Sequence, residues 1–130
     1  LGEYLLAFQK LPMSRARRVT LREKTFGLVV RIQVGGTLRS AKAECERSCD
    51  VEPTGDLTDT NGWAITNCCY AFIHLYKWPE CHHDGTFGTL VHELVHVTRK
   101  FLKDVGSKDE ETHANVTQFL YTEARKKLDL

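Results

Sequence analysis

Residues 85–96 read Gly-Thr-Phe-Gly-Thr-Leu-Val-His-Glu-Leu-Val-His, and the stripe they open continues to Val105. Apolar residues recur at Phe87, Leu90, Val91, Leu94, Val95, Phe101 and Leu102, the three-and-four spacing of one helix face. Gly106 follows, where a residue able to turn left-handed ends a helix. The spacing predicts a helix over 86–105. Ser107-Lys-Asp-Glu110 fits the S-x-x-E capping box and predicts a second helix to about Leu128. Its core face takes in Ala114, Phe119, Leu120, Ala124 and Leu128. A link of about four residues favours close, roughly antiparallel packing of the two helices.

Upstream of this pair, Thr25–Val34 (TFGLVVRIQV) is rich in β-branched residues and closes at Gly35-Gly36, a strand followed by a turn. Thr37 or Ser40 caps a polar helix to about Cys49. Asp50–Gly62 (DVEPTGDLTDTNG) is a loop, Trp63–Thr66 and Cys69–Trp78 are two further strands, and 79–85 is a connector. Ser14–Lys24 carries Arg15, Arg17, Arg18, Arg22 and Lys24 without interleaved aromatics, and reads as a solvated basic face rather than a nucleic-acid contact. Leu1–Leu11 has a rough helical stripe stopped by Pro12, so residues 1–24 form a short terminal helix and a basic segment.

A chain of 130 residues, 42% hydrophobic, suits one domain over 1–130 with a single modest core. Its 18 basic and 17 acidic residues leave a net charge of +1, so neither nucleic acid nor an anionic membrane is an expected partner. No apolar run reaches the roughly 18 residues of a membrane span, and no signal peptide is visible. The first residue is Leu1 rather than Met, which leaves room for an upstream segment. Cysteines number five, an odd count that favours free thiols in a reducing compartment, and hence the cytoplasm.

The chemistry lies in His92-Glu93-Leu94-Val95-His96, an H-E-x-x-H. Two histidines four apart on a helix differ by about 40° in azimuth and about 6 Å along the axis, so both imidazoles can converge on one zinc ion. Glu93, one position on, is angled toward a water at that ion rather than toward the ion, which suits a general base. Two ring systems and a carboxylate on a largely apolar helix need a compensating partner, and a metal supplies it.

A catalytic zinc takes a third protein ligand. The longer H-E-x-x-H-x-x-G-x-x-H pattern fails, because Arg99 stands at the glycine and Leu102 at the third histidine. The next helix presents Glu111, His113 and Glu110, considered in that order. Glu111 shares a polar stripe with Asn115 and Gln118, whereas Glu110 belongs to the capping box. His113 lies about 200° from Glu111, so only one of the two faces the ion.

Gly85–His96 together with Asp109-Glu-Glu-Thr-His-Ala-Asn-Val-Thr-Gln-Phe-Leu120 resembles small phage-encoded proteins of the minimal gluzincin type, from about Gly62 to the C-terminus. The resemblance implies His92, His96 and Glu111 as zinc ligands and Glu93 as general base. It also implies a three-stranded sheet on the active-site helix, whose edge strand near Trp63–Thr66 aligns an extended substrate. Asn115 departs from the pattern, which often has an aromatic residue there.

A second constellation, Cys45-x-x-x-Cys49 with Cys81-His82-His83, offers a structural metal site if the first helix packs on the connector; otherwise His82 and His83 lie exposed beside the active-site helix. His74 alternates with apolar residues and reads as a packed strand histidine. The expectation is an α+β mini-zincin: a small mixed sheet of about three strands, a helix after the first strand, and two C-terminal helices enclosing zinc. Its expected function is zinc-dependent hydrolysis of a peptide or amide bond. The alternatives are a phage-type binding or inhibitor protein with a non-catalytic zinc site, and a nucleic-acid-associated protease.

Overall fold

The computed structural model describes residues 15–55, 57, 61–76 and 86–129. The expected terminal helix at Leu1–Leu11 and the 79–85 connector, with Cys81, His82 and His83, lie outside them. The described residues form a four-stranded mixed sheet and three helices, in the order β1 (Arg17–Glu23), β2 (Leu28–Val34), α1 (Leu38–Cys49), β3 (Gly62–Asn67), β4 (Tyr70–Leu75), α2 (Thr86–Asp104) and α3 (Glu110–Leu128). The sheet order is β1-β2-β4-β3, with β2 and β4 parallel and the outer pairs antiparallel.

Four strands replace the expected three, because the basic segment is itself a strand. In Arg17–Glu23 the side chains of Val19, Leu21 and Glu23 alternate with Arg18, Thr20 and Arg22. The apolar alternation is short and diluted by arginine, so it reads from sequence as a charged face. Arginines also suit an edge strand, where charge discourages pairing with another sheet. The helix accordingly follows the second strand rather than the first. The next strand begins at Leu28, not Thr25, because Gly27 takes φ 79° in the hairpin turn. The buried Glu23 carboxylate holds that turn, accepting hydrogen bonds from the backbone N–H of Thr25 (2.7 Å) and Phe26 (2.8 Å).

Helices cover both faces of the sheet. On one side Leu21, Leu28, Val30, Ile32, Ala71 and Ile73 meet Leu90, Leu94, Val97 and Phe101 of α2 and Val116, Leu120, Ala124 and Leu128 of α3. The opposite strand faces send Trp63 and Phe72 against Ala41, Cys45 and Cys49 of α1. The pleat explains the split, since residues one apart on β4 point to opposite layers.

Two helix expectations need correction. Asp109, not Ser107, caps α3, its carboxylate accepting from the Thr112 N–H at 3.2 Å. Ser107 closes α2 instead: its N–H donates to Leu102 at 2.8 Å while Gly106, at φ 82°, donates to Lys103, which is a Schellman ending. The buried row of α3 is Val116, Leu120, Ala124 and Leu128, with Ala114 and Phe119 exposed. A four-residue step carries that row down the side packed on the sheet, and Phe119 falls off it. Val91 of α2 is likewise exposed.

His74 is wholly buried beneath α1. Its Nε2–H donates to the Gly35 carbonyl at 3.0 Å, and its ring meets Trp63 and Tyr76 edge-on. Burial pushes its pKa below the ordinary 6.5, outweighing the Gly35 hydrogen bond. The unfolded chain therefore binds the proton more readily than the folded one. His74's neutral form contributes stability above pH 6.5 that is lost as pH falls below it. Urea midpoints measured from pH 7.5 downward should show this loss, and His74→Leu should flatten that part of the profile. An unchanged slope in the variant would mean that other groups carry the acid sensitivity.

Candidate metal centre

His92, Glu93 and His96 all project from α2, the first and last exposed and Glu93 buried. The helix places them through its own periodicity. Leu90, Leu94, Val97 and Phe101 form the buried row. Glu93 borders that row, and the two histidines stand on the outer side of it. Nε2 of His92 and Nε2 of His96 are 2.9 Å apart, with the rings edge to face. Glu93 Oε1 lies 3.9 Å from His92 Nε2, and one ligand atom from each of the three falls within 4.8 Å of the others. Burial pushes the Glu93 carboxyl above its ordinary range, and the two histidines pull it partly back.

Two imidazole nitrogens facing each other at hydrogen-bond distance share one proton, so at least one lone pair points into the gap. Tetrahedral zinc with Zn–N near 2.0–2.1 Å holds two nitrogens about 3.3 Å apart, so a small outward swing of either ring fits the ion. Exposed imidazoles beside a carboxylate are donors of the type zinc takes. The two imidazoles therefore fit the ion as a pair of ligands.

A cleft of about 380 Å³ opens beside His92 and Glu93, lined also by Asn61, Gly62, Gly88 and Thr89. Gly62 begins β3, and a Cβ there would meet the His74 carbonyl oxygen at 2.8 Å and Thr89 Cγ2 at 2.9 Å. The missing side chain lets the edge strand lie close against α2, directly beside the motif. The sequence signals this glycine only as a loop residue, because its need arises from a contact between distant segments.

The third expected ligand is placed differently. Glu111 is exposed and outside the three-residue group. Nine positions separate it from buried Leu120, about 180° around the helix, so it points away from the core. The stripe Glu111–Asn115–Gln118 does not wall one site: Gln118 lines a groove shared with His96, whereas Asn115 lines a separate one beside the β1–β2 turn. Glu110 and His113 line the groove with His96. His113 Nε2–H donates to the Ser107 carbonyl at 3.2 Å. The spacing His113–Leu120, seven residues on one helix face, was the available signal for His113.

Cys45 and Cys49 sit on α1, beneath the opposite face of the sheet from α2. A hydrogen bond to Cys49, with burial, holds the Cys45 thiol well above its usual range. The chain matches no protein-family model, no curated protein and no solved structure.

Proposed function

We propose that this chain hydrolyses a peptide or amide bond with one zinc ion held by Nε2 of His92 and Nε2 of His96. A carboxylate from the first turn of α3 completes the ligand set: the resemblance to minimal gluzincins points to Glu111, and the groove beside His96 presents Glu110. The observation that carries the reading is the convergence of the two Nε2 atoms at 2.9 Å with a buried carboxylate alongside. When bound, zinc supplies Lewis acidity, polarising a carbonyl and acidifying water.

Glu93 does the proton work. Its carboxylate accepts a proton from the attacking water and returns it to the nitrogen of the departing amine. Burial favours that cycle, since a desolvated carboxylate is a stronger base than a solvated one. The edge strand β3 positions the substrate. It pairs with β4 alone among the described strands, so its outer backbone groups can take an extended peptide as a further strand. A peptide lying there passes the cleft at Gly62 and presents a carbonyl beside His92 and Glu93.

Elemental analysis of the purified protein should find about one zinc per chain. Cleavage of a peptide library should cease on chelation and return with added zinc. Absence of bound metal, with no uptake in titration, would remove the reading.

A further inference from the structure

Beyond the motif, α2 continues one side-chain stripe. His92, His96, Arg99 and Lys103 follow at steps of four, three and four residues, which places them on one side of the helix. From His96 onward the stripe lines an open groove of about 950 Å³ between α2 and α3, while His92 lines the cleft beside Gly62. Arg99, Lys100, Lys103 and Lys108 line that groove, and among the described residues Glu110 is the one carboxylate that lines it. Lys100 is engaged with Asp104 at 3.3 Å. Arg99, Lys103 and Lys108 form no salt bridge among the described residues.

A row of lysines on a helix is commonly a solvated face. Here three further features argue for a ligand. The cations line a concavity rather than a ridge. Aliphatic Val91 and Val95 share the lining, with Val91 exposed. The row also starts at a residue of the metal centre. From His96 to Lys103 the helix rises about 10 Å, the length of about three residues of extended peptide.

We propose that this groove sets substrate preference: it holds the residues adjoining the bond to be cut and selects carboxylate side chains there, with Arg99 and Lys103 as the specificity-determining residues. The word substrate rests on the hydrolase reading above; binding in the groove does not require the metal. The lining favours an acidic peptide over a nucleic acid. Aliphatic side chains suit a peptide's apolar residues, and base stacking needs free aromatic rings. Tyr121, the one aromatic lining residue besides the histidines among the described residues, lies under the Arg125 guanidinium at 5.8 Å.

The test is fluorescence anisotropy on the full chain in EDTA, so that no turnover occurs. Its probes are labelled octapeptides alternating Leu with Glu, Gln or Lys, and a single-stranded oligonucleotide of the same net charge as the Glu peptide. The Glu peptide should bind about tenfold more tightly than the Gln peptide, and the Lys peptide should bind least. Arg99→Glu with Lys103→Glu should erase that preference while circular dichroism stays unchanged, and Arg22→Glu, outside the groove, should preserve it. Equal binding of Glu and Gln peptides, retention of the preference in the double variant, or tighter binding of the oligonucleotide would overturn the proposal. With zinc restored, cleavage sites in a peptide library should cluster beside acidic residues. Acidic-peptide binding without cleavage would sink the hydrolase reading and leave the groove assignment standing.

Discussion

Glu93→Gln is expected to leave about one zinc per chain and to lower peptide turnover by about 10²–10⁴-fold, the usual worth of a general base. The substitution keeps the shape of the side chain and removes only its capacity to take a proton. The two histidine nitrogens do not depend on it, so metal content should hold. Stability supplies a second readout. In the metal-free protein, burial raises the Glu93 pKa above its ordinary 4.5, so the folded state binds the proton more readily than the unfolded one. Stability is then lost as pH rises from 4.5 through the folded value, and the ionised carboxylate is a cost at neutral pH. Metal-free Glu93→Gln should therefore melt no lower than the parent at pH 7. A functional group kept at the expense of stability is what an active site predicts. If biological activity survives Glu93→Gln unchanged and disappears with His92→Ala, the zinc serves to hold a binding surface, and the protein acts as a binder or inhibitor.

Parts of the fold were legible because their signals are local. The 3.6-residue stripe of α2, the glycine ending it, the β-branched run at 28–34 and the short apolar and aromatic run at 70–75 each declare an element from a few neighbouring residues. The motif His92-Glu93-x-x-His96 is also local, since one helix supplies all three side chains. Features that depend on distant contacts were not legible. Arginine masks the alternation of β1, whose identity as a strand comes from its register with β2, Arg17 opposite Val34 and Glu23 opposite Leu28. Ser107 and Asp109 both have capping chemistry. The choice between them is made by the Schellman ending of α2, which uses the Ser107 N–H. The azimuth of α3 is likewise set by what it packs on. Its residues 111–118 are polar enough for several faces to look like a site wall, and only the burial of Val116 and Leu120 fixes which way Glu111, His113 and Glu110 point.

That azimuth makes the second large effect the more informative one. His92→Ala and His96→Ala are each expected to abolish stoichiometric zinc, measured by elemental analysis after dialysis. Loss of an outer-sphere partner alone costs about 10–100-fold in metal affinity, so loss of a direct ligand from a three-ligand site costs more. Neither histidine is buried, so both variants should keep the parent's metal-free stability to within about 0.5 kcal/mol. The paired substitution Glu110→Ala with Glu111→Ala should weaken zinc binding by more than about 100-fold. The single variants then separate two geometries. Loss with Glu111→Ala alone means that the first turn of α3 rewinds around the ion, because that side chain otherwise faces away from the core. Loss with Glu110→Ala alone means that the helix binds the ion as it stands, from the groove that His96 already lines. His113→Ala should leave zinc in place. Retention of zinc in the paired glutamate variant together with its loss in His113→Ala would replace the carboxylate with a third imidazole, and the gluzincin reading of the centre would fall while metal binding stood.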